Sequence, residues 1–304
     1  MRFKQFDFVA KRKLFFTVSI AVTVAGIAVL LLFGLNLGLD FQSGTSLDIL
    51  TGQTVSNPEV RELFASLGME PNITIAGNNQ DRVNARFDHV LSEEERNEIL
   101  SLFRETYGDN VTMDEYTVDA EMAREFARNT MIYVGLASLL IALYVIIRFE
   151  WRFAVSALVA LVHDAFFVIT VFAVFRLEVN LPFVAALLTI IGYSINDTIV
   201  IFDRIRDNLK TAKLKILDDV SGLVNESIWQ TMVRSINTGL AVLAVAIILM
   251  LLGSESVRLF SLAMVVGLIV GVYSSICIAA PLWAVLKNRS MKAAKNKKTA
   301  VENA

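Results

Sequence analysis

The stretch IIGYSINDTIVIFDRIR, residues 190–206, decides how the rest of this 304-residue chain is read. Its surroundings, residues 181–188 and 199–202, are apolar enough for a membrane span, so Asn196 and Asp197 sit where charge is costly. An ionised carboxylate at the centre of a lipid-facing helix costs roughly 2.5 kcal/mol or more. On a helix, Thr189, Tyr193, Asn196, Asp197 and, further along, Arg204 share one polar stripe on an otherwise apolar rod. Such a stripe faces other helices. One reading is an interhelical hydrogen bond that holds a bundle together. The other is a titratable carboxylate in an ion or proton path, the default reading of an intramembrane acid and the preferred one.

Composition agrees with a membrane class. The chain is 55% hydrophobic, with a mean hydropathy of +0.57, well above soluble domains. A formal net charge of -2 makes no case for nucleic acid, and no such partner is expected. The one cysteine, Cys277, lies in an apolar stretch and excludes a disulfide framework or a cysteine zinc site within one chain. It reads as a small packing residue, and no cofactor or metal is expected.

Arg2, Lys4, Lys11, Arg12 and Lys13 precede an uncharged run over residues 14–35. At about 1.5 Å per residue that run crosses a hydrocarbon core of about 30 Å. It is longer than the apolar part of a signal peptide and no small-x-small cleavage site follows, so a retained anchor is expected, with basic residues 1–13 in the cytoplasm. Residues 36–130 hold eighteen Asp and Glu against seven Arg and no Lys. That composition is poor in the residues that keep loops in the cytoplasm, which places the segment outside.

The segment reads as a small α+β domain. Ser46, Leu47, Asp48 and Ile49 alternate as a strand, and Asn57 before Pro58 predicts an N-cap and a helix to about Leu67. Residues 72–76 and 81–87 form a hairpin around Gly77, Asn78 and Asn79. Ser92 with Glu95 makes a capping box for a second helix, ended by Gly108, and residues 111–118 are the last strand. The order βαββαβ is the ferredoxin-like split motif, in which both helices cover one sheet face and the other is left for a partner. His89, with no His or Cys near it in sequence, reads as a surface residue.

Five more apolar runs follow, at residues 131–147, 153–175, 181–202, 238–252 and 259–286. Threaded from a cytoplasmic N-terminus, they put Arg148, Arg152, residues 204–234 and the Lys-rich tail 287–304 inside, with the turn 176–180 outside, as the positive-inside rule requires. The expected fold is an α-helical membrane protein. Six transmembrane helices, with both termini cytoplasmic, carry a small ferredoxin-like periplasmic domain between the first and second. Residues 131–286 hold spans two to six and the cytoplasmic loop 204–234. Within that loop Ile205, Leu209, Leu214, Ile216 and Leu217 alternate with Lys210, Lys213 and Lys215, a pattern suited to an amphipathic helix at the membrane surface. Gly267 and Gly271 are spaced for close helix packing, and the tail after Lys287 is expected to be disordered.

Besides Asp197, His163 and Asp164 lie mid-span in the third helix, and Arg234 stands at the inner mouth of the fifth with Asn237 and Thr238 one turn on. Burial and a neighbouring arginine act in opposite senses on a carboxylate's hold on a proton. Their balance can bring the group into the range where it loads and releases one. Structural alternatives stay open: Arg234 as a side chain that snorkels to lipid headgroups, and His163 with Asp164 as a packing hydrogen bond. There is no Walker loop, no G-x-G-x-x-G opening a helix and no H-E-x-x-H, so an enzyme is not expected. Work would then draw on an ion gradient, where one charge crossing 100 mV releases about 2.3 kcal/mol.

These residues resemble the SecF family of protein-export subunits, over nearly the whole chain. GYSINDTIVIFDRIR, residues 192–206, follows the family's fourth-span motif through Gly192, Tyr193, Ser194, Asn196, Asp197 and Thr198. HD at His163 and Asp164, RSINT at residues 234–238 and GVYSSICIAAP at residues 271–281 support it. GLDFQSG at residues 38–44 is similar to the family's D-F-x-G-G through Asp40, Phe41 and Gly44, with Ser43 in place of a glycine. The resemblance implies half of a resistance-nodulation-division (RND) type unit in the bacterial inner membrane, paired with SecD. It implies association with the SecYEG channel and membrane lipid, and proton-driven help to preproteins after SecA has acted. Residue by residue it makes Asp197 the proton-carrying carboxylate and Arg234 its arginine, with Asn196, His163, Asp164 and Thr198 as supporting polar groups. Two other classes remain: a non-transporting scaffold of the channel and an RND-type small-molecule or lipid exporter. Protons or sodium would both suit a carboxylate beside Asn196, Ser194 and Thr198.

Overall fold

The computed structural model describes residues 6–77, 79–212 and 217–302, with side chains described there except at 217–219, 255 and 294–302. In chain order the elements are α1 (Arg12–Phe33), β1 (Gly44–Leu50), α2 (Asn57–Ser66), β2 (Asn72–Ala76), β3 (Arg82–Phe87), α3 (Glu93–Tyr107) and β4 (Thr112–Val118). Then follow α4 (Ala120–Arg148), α5 (Trp151–Val174), α6 (Leu181–Thr211), α7 (Leu217–Leu252), α8 (Glu255–Ser274), a π-helical turn (Ser275–Ala279) and α9 (Ala280–Glu302). The chain divides into two compact units: Leu37–Tyr133 with Val179–Leu181, and the remainder.

The first unit is an α+β sandwich. Its antiparallel sheet has the order β2-β3-β1-β4, set by the pairs Leu47↔Ala85, Ile49↔Val83 and Ile49↔Met113. Because side chains alternate across a strand, this register sends Leu47, Ile49, Val83, Ala85 and Phe87 to one side, where they pack with Val60, Phe64, Ile99 and Phe103 of the two helices. The opposite face is polar, with Ser46, Asp48, Asn84 and Asp114 in register. Asp48 there is pushed above its usual carboxylate range by burial, with Arg82 opposing and Asp114 adding to the rise.

Local chemistry explains the boundaries. Ser92 and Glu95 exchange the two hydrogen bonds of a capping box at the start of α3. Gly108 ends that helix at φ 98°, a left-handed conformation that favours glycine. The cap of α2 differs from the sequence expectation: Ser56 holds the cap position and Asn57 is already helical. Asn57's side chain is engaged elsewhere, donating to the Ile73 carbonyl at 3.3 Å and accepting from Arg61 at 3.0 Å.

The motif before β1 is compact. Asp40 Oδ1 accepts from the Tyr116 hydroxyl at 3.0 Å and Oδ2 accepts from the Leu181 amide at 2.8 Å, a carboxylate on the first N–H of α6. Burial, then the Asp40 carboxylate, push the Tyr116 phenol above its ordinary value. A Cβ on Gly44 would run into the Phe87 carbonyl oxygen, so glycine is required there. Ser43 needs no such allowance, since its backbone is not left-handed.

The second unit is a helical bundle. The described residues include six segments long and apolar enough to cross a membrane: α1, α4, α5, α6, most of α7, and α8 continued through the π turn into α9. Outer surfaces are apolar, as at Leu31, Leu139, Ile147, Val162, Leu251 and Leu252, the pattern of helices bathed in lipid. Inside, small residues set the spacing. A Cβ on Gly26 would strike Thr170, one on Gly267 would strike Ile190, and one on Gly271 would lie 3.2 Å from the Ser194 Cβ. The glycine pair of α8 therefore seats α6, as its spacing predicts. Further along, Phe153 stacks on Trp283 with centroids 4.6 Å apart and lies 4.8 Å from Phe202.

Two expectations are corrected. Segment 204–234 is no separate interfacial helix: its described residues extend α6 to Thr211 and begin α7 at Leu217. Polar contacts join these extensions, with Asn208 Nδ2 donating to Ser227 at 2.8 Å and Gln230 at 2.9 Å, and Arg204 Nε donating to Gln230 at 2.6 Å. Their apolar partners Ile205, Val220, Val224 and Ile228 are buried in the protein. Leu214, Ile216, Lys213 and Lys215 of the expected pattern lie outside the described residues, as do Arg2, Lys4 and Asn78. The tail expected to be disordered continues α9 to Glu302; its Ala, Lys and Arg are strong helix formers. At the other end, Phe6 and Phe8 pack beside Phe15 and Trp229, and the Trp229 indole donates to the Phe6 carbonyl at 3.0 Å.

Candidate functional site

Helix α6 carries the polar stripe into the middle of the bundle. Asp197 stands 16 residues after Leu181 and Arg234 stands 18 residues before Leu252. At about 1.5 Å per residue the two lie some 24 and 27 Å along neighbouring antiparallel helices, at nearly one depth. They line a common cleft with an open mouth. Tyr193, Asn196, Ser235, Thr238 and Gly271 are also on its wall.

Asp197 is half-buried. Ser235 and Ser275 face its carboxylate and Arg234 is the cation acting on its charge. One of its oxygens, Oδ2, is buried yet has no partner in hydrogen-bond geometry among the described residues, and the same holds for Ser235 Oγ. An acid so placed is under-bonded, and a proton on it would supply the missing donor. The far side of the cleft is open in this chain: Thr189, Gly192 and Asn196 on α6, with Arg234, Asn237 and Thr238 on α7, are exposed. Nothing lies near where a Cβ on Gly192 would point.

Asp164 has a different setting. It is completely buried, and three groups hold it. His163 Nδ1 is 3.1 Å from Oδ1, while Ser194 Oγ and Ser274 Oγ lie 2.5 and 2.6 Å from Oδ2. One turn along α6, Thr198 Oγ1 and Ser275 Oγ are 2.8 Å apart. The structure thus gathers His163, Asp164, Ser194 and Thr198 against the π turn, and sets Asp197 and Arg234 beside them. Asn196 points to the open side instead. Asp40, Phe41 and Gly44 belong to the α+β unit.

Sequence reasoning gave Ser235, Ser274 and Ser275 no part. Ser274, at the end of α8, and Ser275, the first residue of the π turn, both sit in the quoted stretch 271–281, and these successive residues meet two different partners, Asp164 and Thr198. A π turn inserted in a helix often marks a functional position. Among the described residues, no group of three or more His, Cys, Asp and Glu is placed to hold a metal ion.

Comparison with known proteins shows the family. Residues 98–289 match the family described as protein export membrane protein SecD/SecF, C-terminal, and residues 28–55 match the SecD/SecF GG motif. Protein translocase subunit SecF of Alicyclobacillus acidocaldarius is 45% identical over 294 residues, covering 95% of this chain and 96% of that protein. SecF of Helicobacter pylori strain J99 is 36% identical, over 86% of this chain and 81% of its own length. Protein translocase subunit SecDF of Bacillus subtilis is 44% identical over 95% of this chain, which spans only 39% of that longer protein. The crystal structure of SecDF from Thermus, a translocon-associated membrane protein, superposes with a TM-score of 0.83 at 33% identity, covering 93% of this chain and 39% of its own. A long family match and a full-length relative at this identity settle the lineage: the chain belongs to the SecD/SecF family of protein-export membrane proteins, with SecF as its full-length relatives.

Proposed function

We propose that this chain is the SecF-type subunit of a Sec protein translocase, working with a SecD partner and drawing on the proton-motive force to move preproteins. The observation that carries this reading is Asp197: a carboxylate with an unpartnered buried oxygen, at membrane depth, in a cleft shared with Arg234. Ionised, Asp197 attracts the guanidinium across the cleft; protonated, it releases Arg234 and can donate to a neighbouring oxygen. Two charge states therefore favour two arrangements of α6 and α7, the kind of differential contact a coupled motion needs.

The partner follows from the same cleft. Thr189, Gly192, Asn196, Arg234, Asn237 and Thr238 are exposed on helices read as membrane spans. Polar groups facing lipid there are costly, and a small residue such as Gly192 admits a second helix closely. A SecD helix bundle supplies that cover, in keeping with the two-part SecDF proteins that match this chain over about two-fifths of their length. In this reading the protein sits in the bacterial inner membrane with both termini cytoplasmic, the α+β domain stands outside where the preprotein emerges, and the SecYEG channel and the SecA motor are its associates.

The test is gradient-dependent export of a preprotein into inverted vesicles containing the channel, its motor and this chain with its SecD partner. Export should rise with an imposed proton gradient for the wild type and stay at the gradient-free level for Asp197→Asn. Equal stimulation by both proteins would leave Asp197 as packing and favour a scaffold.

A further inference from the structure

A second carboxylate in the bundle has no part in the cleft. Asp164 is wholly buried on α5 and, among the described residues, meets no Lys or Arg. The titratable and polar groups around it are His163 on its own helix, Ser194 of α6 and Ser274 of α8. Beyond His163 stands the Tyr273 ring, 6.2 Å away, whose hydroxyl is 3.2 Å from Ser19 of α1, with Cys277 of the π turn next to it.

An ionised acid sealed from water without a permanent cation is expensive, so structural packing alone would be served as well by an amide. Here the surroundings accept either charge state. Ser274 has one hydroxyl hydrogen and two acceptors in reach, Asp164 Oδ2 at 2.6 Å and the Gly271 carbonyl at 3.1 Å. With Asp164 ionised, Ser274 donates to it. With Asp164 protonated, the acid donates to Ser274 Oγ and the serine proton turns to Gly271, leaving no group unpaired. His163, next to Oδ1 and only 10% exposed, can hold the same proton instead. The next polar layer, Thr198 with Ser275, can also donate in either direction, and Ser275 faces Asp197.

We infer that His163 and Asp164, with the hydroxyls of Ser194 and Ser274, form a second intramembrane proton-binding site, separate from Asp197 and joined to it through Ser274 and its neighbour Ser275. The inference rests on the proposed proton-driven reading, and it assigns the second site one exchangeable proton shared between imidazole and carboxylate. That proton leaves Asp164 toward Asp197 by hops along the hydroxyls: each serine oxygen accepts one proton as it gives up its own, breaking one O–H bond for each one formed, and the hydroxyls then rotate back.

Infrared difference spectra of the complex with its SecD partner in lipid, recorded across a pH titration, read carboxyl protonation directly. The wild type should show two titrating carboxyl bands from this chain, one absent in Asp164→Asn and the other absent in Asp197→Asn. Ser274→Ala should keep both bands and shift the midpoint of the Asp164 band alone by at least threefold in proton concentration. In vesicles, Asp164→Asn should slow proton flux at least tenfold, with Asp164→Glu recovering part of it. Should Asp164→Asn fail to assemble, the wild-type, Asp197→Asn and Ser274→Ala spectra still decide. A single band, lost in Asp197→Asn, would overturn this inference and leave the proposed function standing; no titrating band at all would overturn both.

Discussion

Two carboxylates on adjacent helices of this bundle have opposite surroundings. Asp164 is sealed and has hydrogen-bonding neighbours at both oxygens. Asp197 is half-open and leaves one buried oxygen unmatched beside a guanidinium at the cleft wall. The comparison teaches that membrane burial alone does not define a functional acid. What matters is whether the surroundings hold one charge state, serve both, or leave a demand that another state or partner meets.

The first way to break the comparison, and the largest expected effect, is exchange at the two acids. Asp197→Asn should bring proton flux down to the leak of empty vesicles while thermal stability of the complex changes by about 0.5 kcal/mol or less, since the site is half-open and the change nearly isosteric. Asp164→Ala should cost about 3–5 kcal/mol in bundle stability, because it leaves a buried His and two serines without their shared partner. Melting both variants in one lipid composition measures the pair; comparable stability losses would erase the distinction.

Smaller changes sharpen it. Ser194→Ala removes one of two hydroxyls on Asp164 and should cost about 1–3 kcal/mol, read from the same melts. Gly271→Ala adds a methyl 3.2 Å from the Ser194 Cβ and should displace that serine, at a cost of about 1 kcal/mol. The equivalent change at Gly192, where nothing lies near the added methyl in this chain, should leave the isolated chain's stability unchanged and weaken its co-purification with SecD. The smallest effect lies in the α+β domain. There Glu95 is held below its usual range by the Ser92 amide and hydroxyl, and Glu115 by the Thr117 hydroxyl and then Arg96. Both carboxylates bind protons more weakly folded than unfolded, so their stabilisation is present above the unfolded value and lost as pH falls through the folded one. Hydrogen-exchange protection of α3 and β4, measured relative to the intrinsic rate at each pH, should fall between about pH 5 and pH 3, with Asp48, which burial shifts the other way, offsetting part of the loss.

Much of this was legible in residues alone. Alternation at 46–49, the Ser92–Glu95 box and Gly108 encode the βαββαβ order locally, since each depends on neighbours in sequence. Asp197 was conspicuous because an acid in an apolar run violates the pattern around it. Asp164 was visible too, but its complete burial depends on Ser194 and Ser274, 30 and 110 residues away, and no periodicity reports such a meeting. The Asn57 cap was misplaced for the same reason: its side chain answers to Ile73 and Arg61. The expected interfacial helix gives way to extensions of α6 and α7 whose described residues Ile205, Val220, Val224 and Ile228 are buried against protein, a choice between lipid and protein that composition does not make.

The most direct test of the central claim is proton flux into vesicles holding this chain with its SecD partner under an imposed pH gradient, wild type beside Asp197→Asn. Flux should appear in the wild type and only background leak in the variant, at equal incorporation. Flux of equal size in both would contradict it.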